Sequence, residues 1–145
     1  MSAGIHPPSV AEDRGDGRQI IARRYEVLSL LGAGGMGTVY RVRDLELDEE
    51  VALKMVRREL LDTPGILDRF RREAKLARRV THRNVARVFD VGEGEGERFL
   101  TMELVVGEPL SALLAREGAL DLPRAAAIAA DIAAGLASAH AAGVV

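Results

Sequence analysis

Four glycines, Gly32, Gly34, Gly35 and Gly37, fall within six residues of one another, in the run from Leu31 to Tyr40 that also holds Ala33, Met36, Thr38 and Val39. Gly32, Gly34 and Gly37 have the spacing G-x-G-x-x-G, and Val39 extends it to G-x-G-x-x-G-x-V. Glycine admits positive φ and lets a ligand come close where a Cβ would clash. Successive backbone N–H groups in such a loop can face an anion, above all phosphate oxygens. A plain hairpin needs only one or two glycines. The run therefore asks for a further reason.

Three phosphate-binding arrangements share this spacing, and the flanks separate them. A P-loop requires G-x-x-x-x-G-K-[ST], but Gly37 is followed by Thr38 with no lysine. A dinucleotide fold starts a helix at its last glycine. Here Thr38 to Arg43 is β-branched, aromatic and alternating, which predicts a strand, and Tyr25 to Leu31 predicts another before the loop. What remains is a glycine-rich hairpin between antiparallel strands, lying over phosphates.

Bulk composition excludes some partners. With 145 residues there is room for one modest domain. The formal net charge of −2 points to neither nucleic acid nor an anionic membrane. No cysteine is present, so disulfides, thiolate metal sites and thiol nucleophiles are excluded, and a cytoplasmic setting is expected. Residues 1–24 carry Pro7-Pro8, scattered glycines and mixed charge. They are expected to be a mostly disordered lead, with Ile20 and Ile21 placed to pack on the first strand.

After the acidic turn Leu45 to Glu50, a third strand is expected over Val51–Val56. Period two puts Ala52, Lys54 and Val56 on one face. A lysine between apolar neighbours wants a negative partner, although an edge lysine can also extend to water. A helix is expected from the turn Asp62-Thr63-Pro64-Gly65 to about Arg79. Its apolar residues Ile66, Phe70, Ala77 and Val80 share a face with Glu73. A carboxylate within an apolar stripe is costly unless paired. The economical expectation is that Lys54 and Glu73 pair with each other. The basic face of the same helix (Arg69, Arg71, Arg72, Lys75, Arg78 and Arg79) has no interleaved aromatics, so it reads as a solvated or docking surface, with no nucleic-acid partner.

Val85–Val91 and Arg98–Val105 are expected as fourth and fifth strands around a glycine–glutamate turn. A short helix over about 110–116 ends at Gly118. Asp121 is placed as an N-cap, with Pro123 in the first turn of a long alanine-rich helix reaching about Ala142. That helix is long and weakly apolar, but Asp131 near its middle would cost about 2.5–3.5 kcal/mol in a bilayer. It is read as a soluble core helix with the stripe Ile128, Ile132, Leu136 and Ala139, so no membrane segment is expected here. His140 is read as structural, and no metal site is assigned.

The pieces Arg24-Tyr25-Glu26-Val27, the glycine run, Val51-Ala52-Leu53-Lys54, Phe70-Arg-Arg-Glu73, His82-Arg-Asn84-Val85, Met102-Glu103-Leu104-Val105 and His140-Ala-Ala-Gly143 stand in one order. In that order the chain resembles the N-terminal half of a bacterial eukaryotic-like (Hanks-type) serine/threonine protein kinase, over about residues 20–145. The resemblance implies an α+β fold. It comprises a kinase N-lobe of five antiparallel strands and one helix over 25–105, then the first helices of a C-lobe over 106–145.

It also implies roles. Leu31, Gly32, Ala33, Gly34, Gly35, Met36 and Gly37 would form the loop over ATP. Lys54 would contact the α- and β-phosphates, held by Glu73. Leu31, Val39 and Ala52 would form the upper wall of the adenine site, and Met102 the gatekeeper. Backbone groups of Glu103 and Val105 would bond the adenine edge. Val106 departs from an often polar family position.

The family's catalytic loop, with its aspartate base, and its Mg²⁺ ligands would follow Val145 and have no counterpart in this chain. ATP is the implied cofactor, and Mg²⁺ enters only in a complete kinase domain. The implied partner of the complete kinase is a protein substrate, and self-association through the exposed C-lobe helix is expected. Two other readings stay open: a non-catalytic nucleotide-binding or kinase-interaction module, and a kinase of small molecules.

Overall fold

The computed structural model describes residues 12–13, 17–35, 37–57, 59, 62–94 and 96–145. Seven strands form one antiparallel sheet: β1 (Glu12–Asp13), β2 (Gln19–Ile21), β3 (Tyr25–Gly34), β4 (Gly37–Asp44), β5 (Glu49–Val56), β6 (Val88–Gly94) and β7 (Glu97–Met102). Their spatial order is β1-β2-β3-β4-β5-β7-β6. Three helices complete the described fold: α1 (Ile66–Ala77) between β5 and β6, then α2 (Leu110–Glu117) and α3 (Leu122–Ala141) after the sheet. The architecture is the expected kinase-like N-lobe with the first C-lobe helices.

Two strands more than expected are present. The disorder expected of residues 1–24 falls largely outside the described residues. Within that stretch Gln19–Ile21 pairs with β3 as a strand. Ile20 and Ile21 are buried, and Ile21 has no exposed surface. Two adjacent isoleucines gain more by burial than the polar, glycine-rich stretch before them could offset by staying in water.

Strand alternation sets the two sides of the sheet. One side takes Ile21, Tyr25, Tyr40, Val42, Val51, Leu53, Met55 and Phe99 into a single buried cluster. The sheet curls around it. The Tyr25 and Phe99 rings meet edge to face at 5.5 Å, joining β3 to β7 across the interior. At the rim, a Cβ on Gly94 of β6 would stand 3.0 Å from the Ala22 side chain in the β2–β3 turn. The first and last long strands are thereby brought near each other.

One buried carboxylate fastens the curl. Asp44, 3% exposed, accepts Arg24 Nε at 2.9 Å and Arg24 Nη2 at 2.6 Å. Its Oδ1 also accepts the backbone N–H groups of Glu46 and Leu47, closing the β4–β5 turn. Arg24 lies over the Tyr25 ring at 5.2 Å. These bonds to the ionised form hold the Asp44 carboxyl below its ordinary pKa and raise that of Arg24.

The helices depart from expectation mostly at their ends. α1 stops at Ala77, with Arg78 as its C-cap. Asp121 caps α3 as expected, its side chain accepting the Arg124 N–H at 2.9 Å. α3 has 20 residues and a mean hydropathy of 1.2, enough by length and composition alone to cross a membrane, and little of it is buried. Its Ile132 and Leu136 are 49% and 52% exposed.

Candidate functional site

The site is built on the side of the sheet opposite the buried cluster. Across β4 and β5, Val39 pairs with Lys54 and Arg41 with Ala52. Across β5 and β7, Lys54 pairs with Leu100 and Ala52 with Met102. Residues directly paired point to one face, so Val39, Ala52, Lys54, Leu100 and Met102 form one surface. Val88 and Val91 of β6, paired with Met102 and Leu100, extend it. Ala52 is buried; Val39, Lys54 and Met102 are half-buried. The strand alternation read from sequence therefore brings four of the expected residues together. Leu31 does not join by pairing: the β3–β4 ladder slips between Leu30 and Gly32, and Leu31 is 50% exposed at that irregularity.

Above this surface stands the glycine hairpin, with Gly32 opposite Val39, Ala33 opposite Thr38 and Gly34 opposite Gly37. Its glycines are of two kinds. Gly37 has φ 156°, and a Cβ there would stand 1.9 Å from the Met55 carbonyl oxygen, so the fold itself demands glycine. Gly32, Gly34 and Gly35 are exposed, none has positive φ, and a Cβ on any of them would meet nothing within 4 Å. Neither backbone conformation nor internal packing requires glycine at these three places. A ligand lying against the backbone would. Met36, also expected in the loop, lies outside the described residues.

The chain leaves the sheet after Met102. The Glu103 N–H donates to the Arg87 carbonyl at 2.8 Å, and the Glu103 carboxylate accepts the Arg87 N–H at 3.1 Å. These bonds fasten the start of the connecting segment to the strand edge. Val105 is 67% exposed and Val106 93%.

The expected Lys54–Glu73 pair is not formed. Glu73 instead accepts Arg69 Nε at 2.7 Å, one helical turn back, with its side chain 57% exposed. Lys54 makes no ion pair with another described residue. The reason lies in the rotation of α1. Its fully buried residue is Ala74, flanked by half-buried Leu67, Phe70 and Ala77. At 100° per residue, Glu73 lies roughly 80° from the centre of that face. The stripe through Ile66, Glu73 and Val80 lies one step to the side of the face that packs. The Arg69–Glu73 bond also raises the Arg69 pKa.

Two further contacts were not foreseen. Asn84 Nδ2 donates to the Asp131 backbone carbonyl at 3.0 Å, tying the segment after α1 to α3, while His82 Nδ1 accepts the Asn84 N–H at 3.1 Å. Gly135, the buried residue of α3, makes room: a Cβ there would stand 3.0 Å from the Asn84 carbonyl oxygen. The second is Arg69 itself, whose i,i+4 spacing to Glu73 was readable. Among the described residues no cluster of three His, Asp or Glu side chains is placed to hold a metal ion.

A family model, the protein kinase domain, matches residues 25–145. The serine/threonine-protein kinase pkn3 of Myxococcus xanthus is 44% identical over 126 residues, covering 86% of this chain and 23% of that protein. PknH of Mycobacterium tuberculosis is 42% identical over 120 residues, covering 83% of this chain and 19% of that protein. Among solved structures, the Mycobacterium tuberculosis PknI kinase domain superimposes with a TM-score of 0.72 at 31% identity. The match covers 82% of this chain and 49% of the solved one. The chain thus spans about a quarter or less of the curated relatives and about half of the solved kinase domain.

Proposed function

The chain belongs to the protein kinase family, as the N-terminal part of a bacterial Hanks-type serine/threonine kinase domain, and from that premise we propose that it is the lobe that grips ATP. In this reading the hairpin 32–37 lies over the phosphates, and Lys54 supplies a cation to the α- and β-phosphate oxygens. Ala52, Val39, Leu31 and Met102 bound the adenine. The Glu103 and Val105 main chain bonds its edge. Transfer of the γ-phosphoryl group to a protein Ser or Thr belongs to the complete domain, where Mg²⁺ is also held. The residues that hold Mg²⁺ and the catalytic base have no assignment in 1–145. The isolated chain is therefore expected to bind nucleotide weakly and to transfer no phosphoryl group. A cytoplasmic location is part of the same reading.

One observation carries the proposal: Gly32, Gly34 and Gly35 are glycines that the fold does not need, above a face holding Ala52 and Lys54. The non-catalytic module remains the second reading, favoured by the exposed cationic face of α1, on which Arg69 and Arg71 are 72% and 53% exposed. NMR titration with ATP separates the two. Shifts concentrated at the amides of 32–37, Lys54 and Val105 support the nucleotide site. Shifts absent there while an acidic protein partner perturbs α1 support the module.

A further inference from the structure

We propose that Arg69 is a built-in competitor that draws Glu73 away from Lys54, so that the helix carries its own brake on the nucleotide site. The inference rests on the ATP-gripping reading above. Three observations carry it. Glu73 is committed to Arg69 at 2.7 Å on the outward side of α1. Lys54 is half-buried between Val39 and Leu100 and makes no ion pair with another described residue. Glu73 stands at the margin of the face that α1 buries, beside fully buried Ala74 rather than opposite it. A modest turn of the helix about its axis exchanges one partner for the other.

A carboxylate with two cations within reach divides its time according to their relative attraction. Arg69 offers a planar guanidinium, one turn away on the same helix, with no change in the packing of α1. Lys54 offers an ammonium in drier surroundings, but only after α1 has rotated. Exposed i,i+4 pairs shift such a balance by about twofold, and a like-charged pair at the same spacing opposes by a similar amount. The brake is therefore mild, suited to bias the position of α1 rather than to fix it. Anything that occupies the Arg69 guanidinium would release Glu73.

The test uses the full 145-residue chain and a fluorescent ATP analogue. Arg69→Gln should tighten nucleotide binding about twofold and Arg69→Glu about fourfold. Both gains should vanish in Glu73→Gln and in Lys54→Met backgrounds. Unchanged or weaker binding by Arg69→Gln, or a gain that survives Glu73→Gln, overturns the proposal. If wild type and Lys54→Met bind nucleotide equally, the nucleotide reading itself has failed. The brake is then read without nucleotide, from a double-mutant cycle of Lys54→Met and Glu73→Gln in urea unfolding. Coupling that rises when Arg69 is replaced by Gln supports the brake, and equal coupling in both backgrounds overturns it.

Discussion

Gly37 and Met55 lie so close across β4 and β5 that a Cβ built on Gly37 would stand 1.9 Å from the Met55 carbonyl oxygen. Gly34, its cross-strand partner at the mouth of the same hairpin, has open space where a Cβ would go. The two glycines should therefore fail differently. Gly37→Ala forces either the hairpin or β5 to move and should cost about 1–3 kcal/mol, read as a lower urea midpoint. Gly34→Ala should leave stability within about 0.5 kcal/mol while weakening nucleotide binding. Equal destabilisation by both would contradict the distinction between a packing glycine and a ligand glycine.

Asp44 gives the fold a pH dependence of known sign. Its carboxyl is held below the ordinary value of 3.8 by Arg24 and the Glu46 and Leu47 amides. A carboxyl bound more tightly as the anion stabilises the fold above its unfolded pKa, and loses that contribution as pH falls through the lowered folded value. Asp44→Asn, which weakens two charge-assisted bonds to Arg24, should cost about 1.5–3 kcal/mol at neutral pH. The gap between wild type and variant in urea unfolding should stay constant above about pH 5 and narrow as the pH drops below 3.8. A gap that widens on acidification would show that Asp44 has been assigned the wrong role.

Much of this arrangement was legible because strands write their faces into the sequence with period two. Val51, Leu53 and Met55 went to the buried cluster, leaving Ala52 and Lys54 on the opposite side, as their alternation required. The glycine run fixed the hairpin and Asp121 the start of α3. Helix α1 was read less well. Its apolar residues are too few and small to define one stripe, and Leu67, Phe70 and Ala74 outweigh the stripe through Glu73. Strand β2 was missed for another reason. Three residues are too short for a periodicity, and only the edge of β3 gives them a partner. The Asn84–Asp131 contact joins positions 47 apart, beyond the reach of any local pattern.

The apolar side of α3 should make the isolated chain self-associate. Leu122, Ile132 and Leu136 are 81%, 49% and 52% exposed, and Ile128 is half-buried along the same stripe. Each large apolar side chain left in water forgoes about 1.5–3 kcal/mol of burial, and a contiguous patch favours association. Sedimentation should give a mass that rises with concentration. Ile132→Lys with Leu136→Glu should return it to the monomer. A wild-type chain that stays monomeric at all concentrations would show that this face needs no cover.

The nucleotide site stands or falls on Lys54, half-buried on the face beneath the glycine hairpin. The direct measurement is equilibrium binding of a fluorescent ATP analogue to the 145-residue chain and to its Lys54→Met variant, with unlabelled ATP as competitor. Saturable, ATP-displaceable binding by the wild type, reduced at least about tenfold by Lys54→Met, is the expected result, since a charge-assisted contact to phosphate contributes about 1.5–3 kcal/mol. Binding of equal strength by both proteins, or none that ATP displaces from the folded wild type, would contradict the claim that this lobe grips ATP.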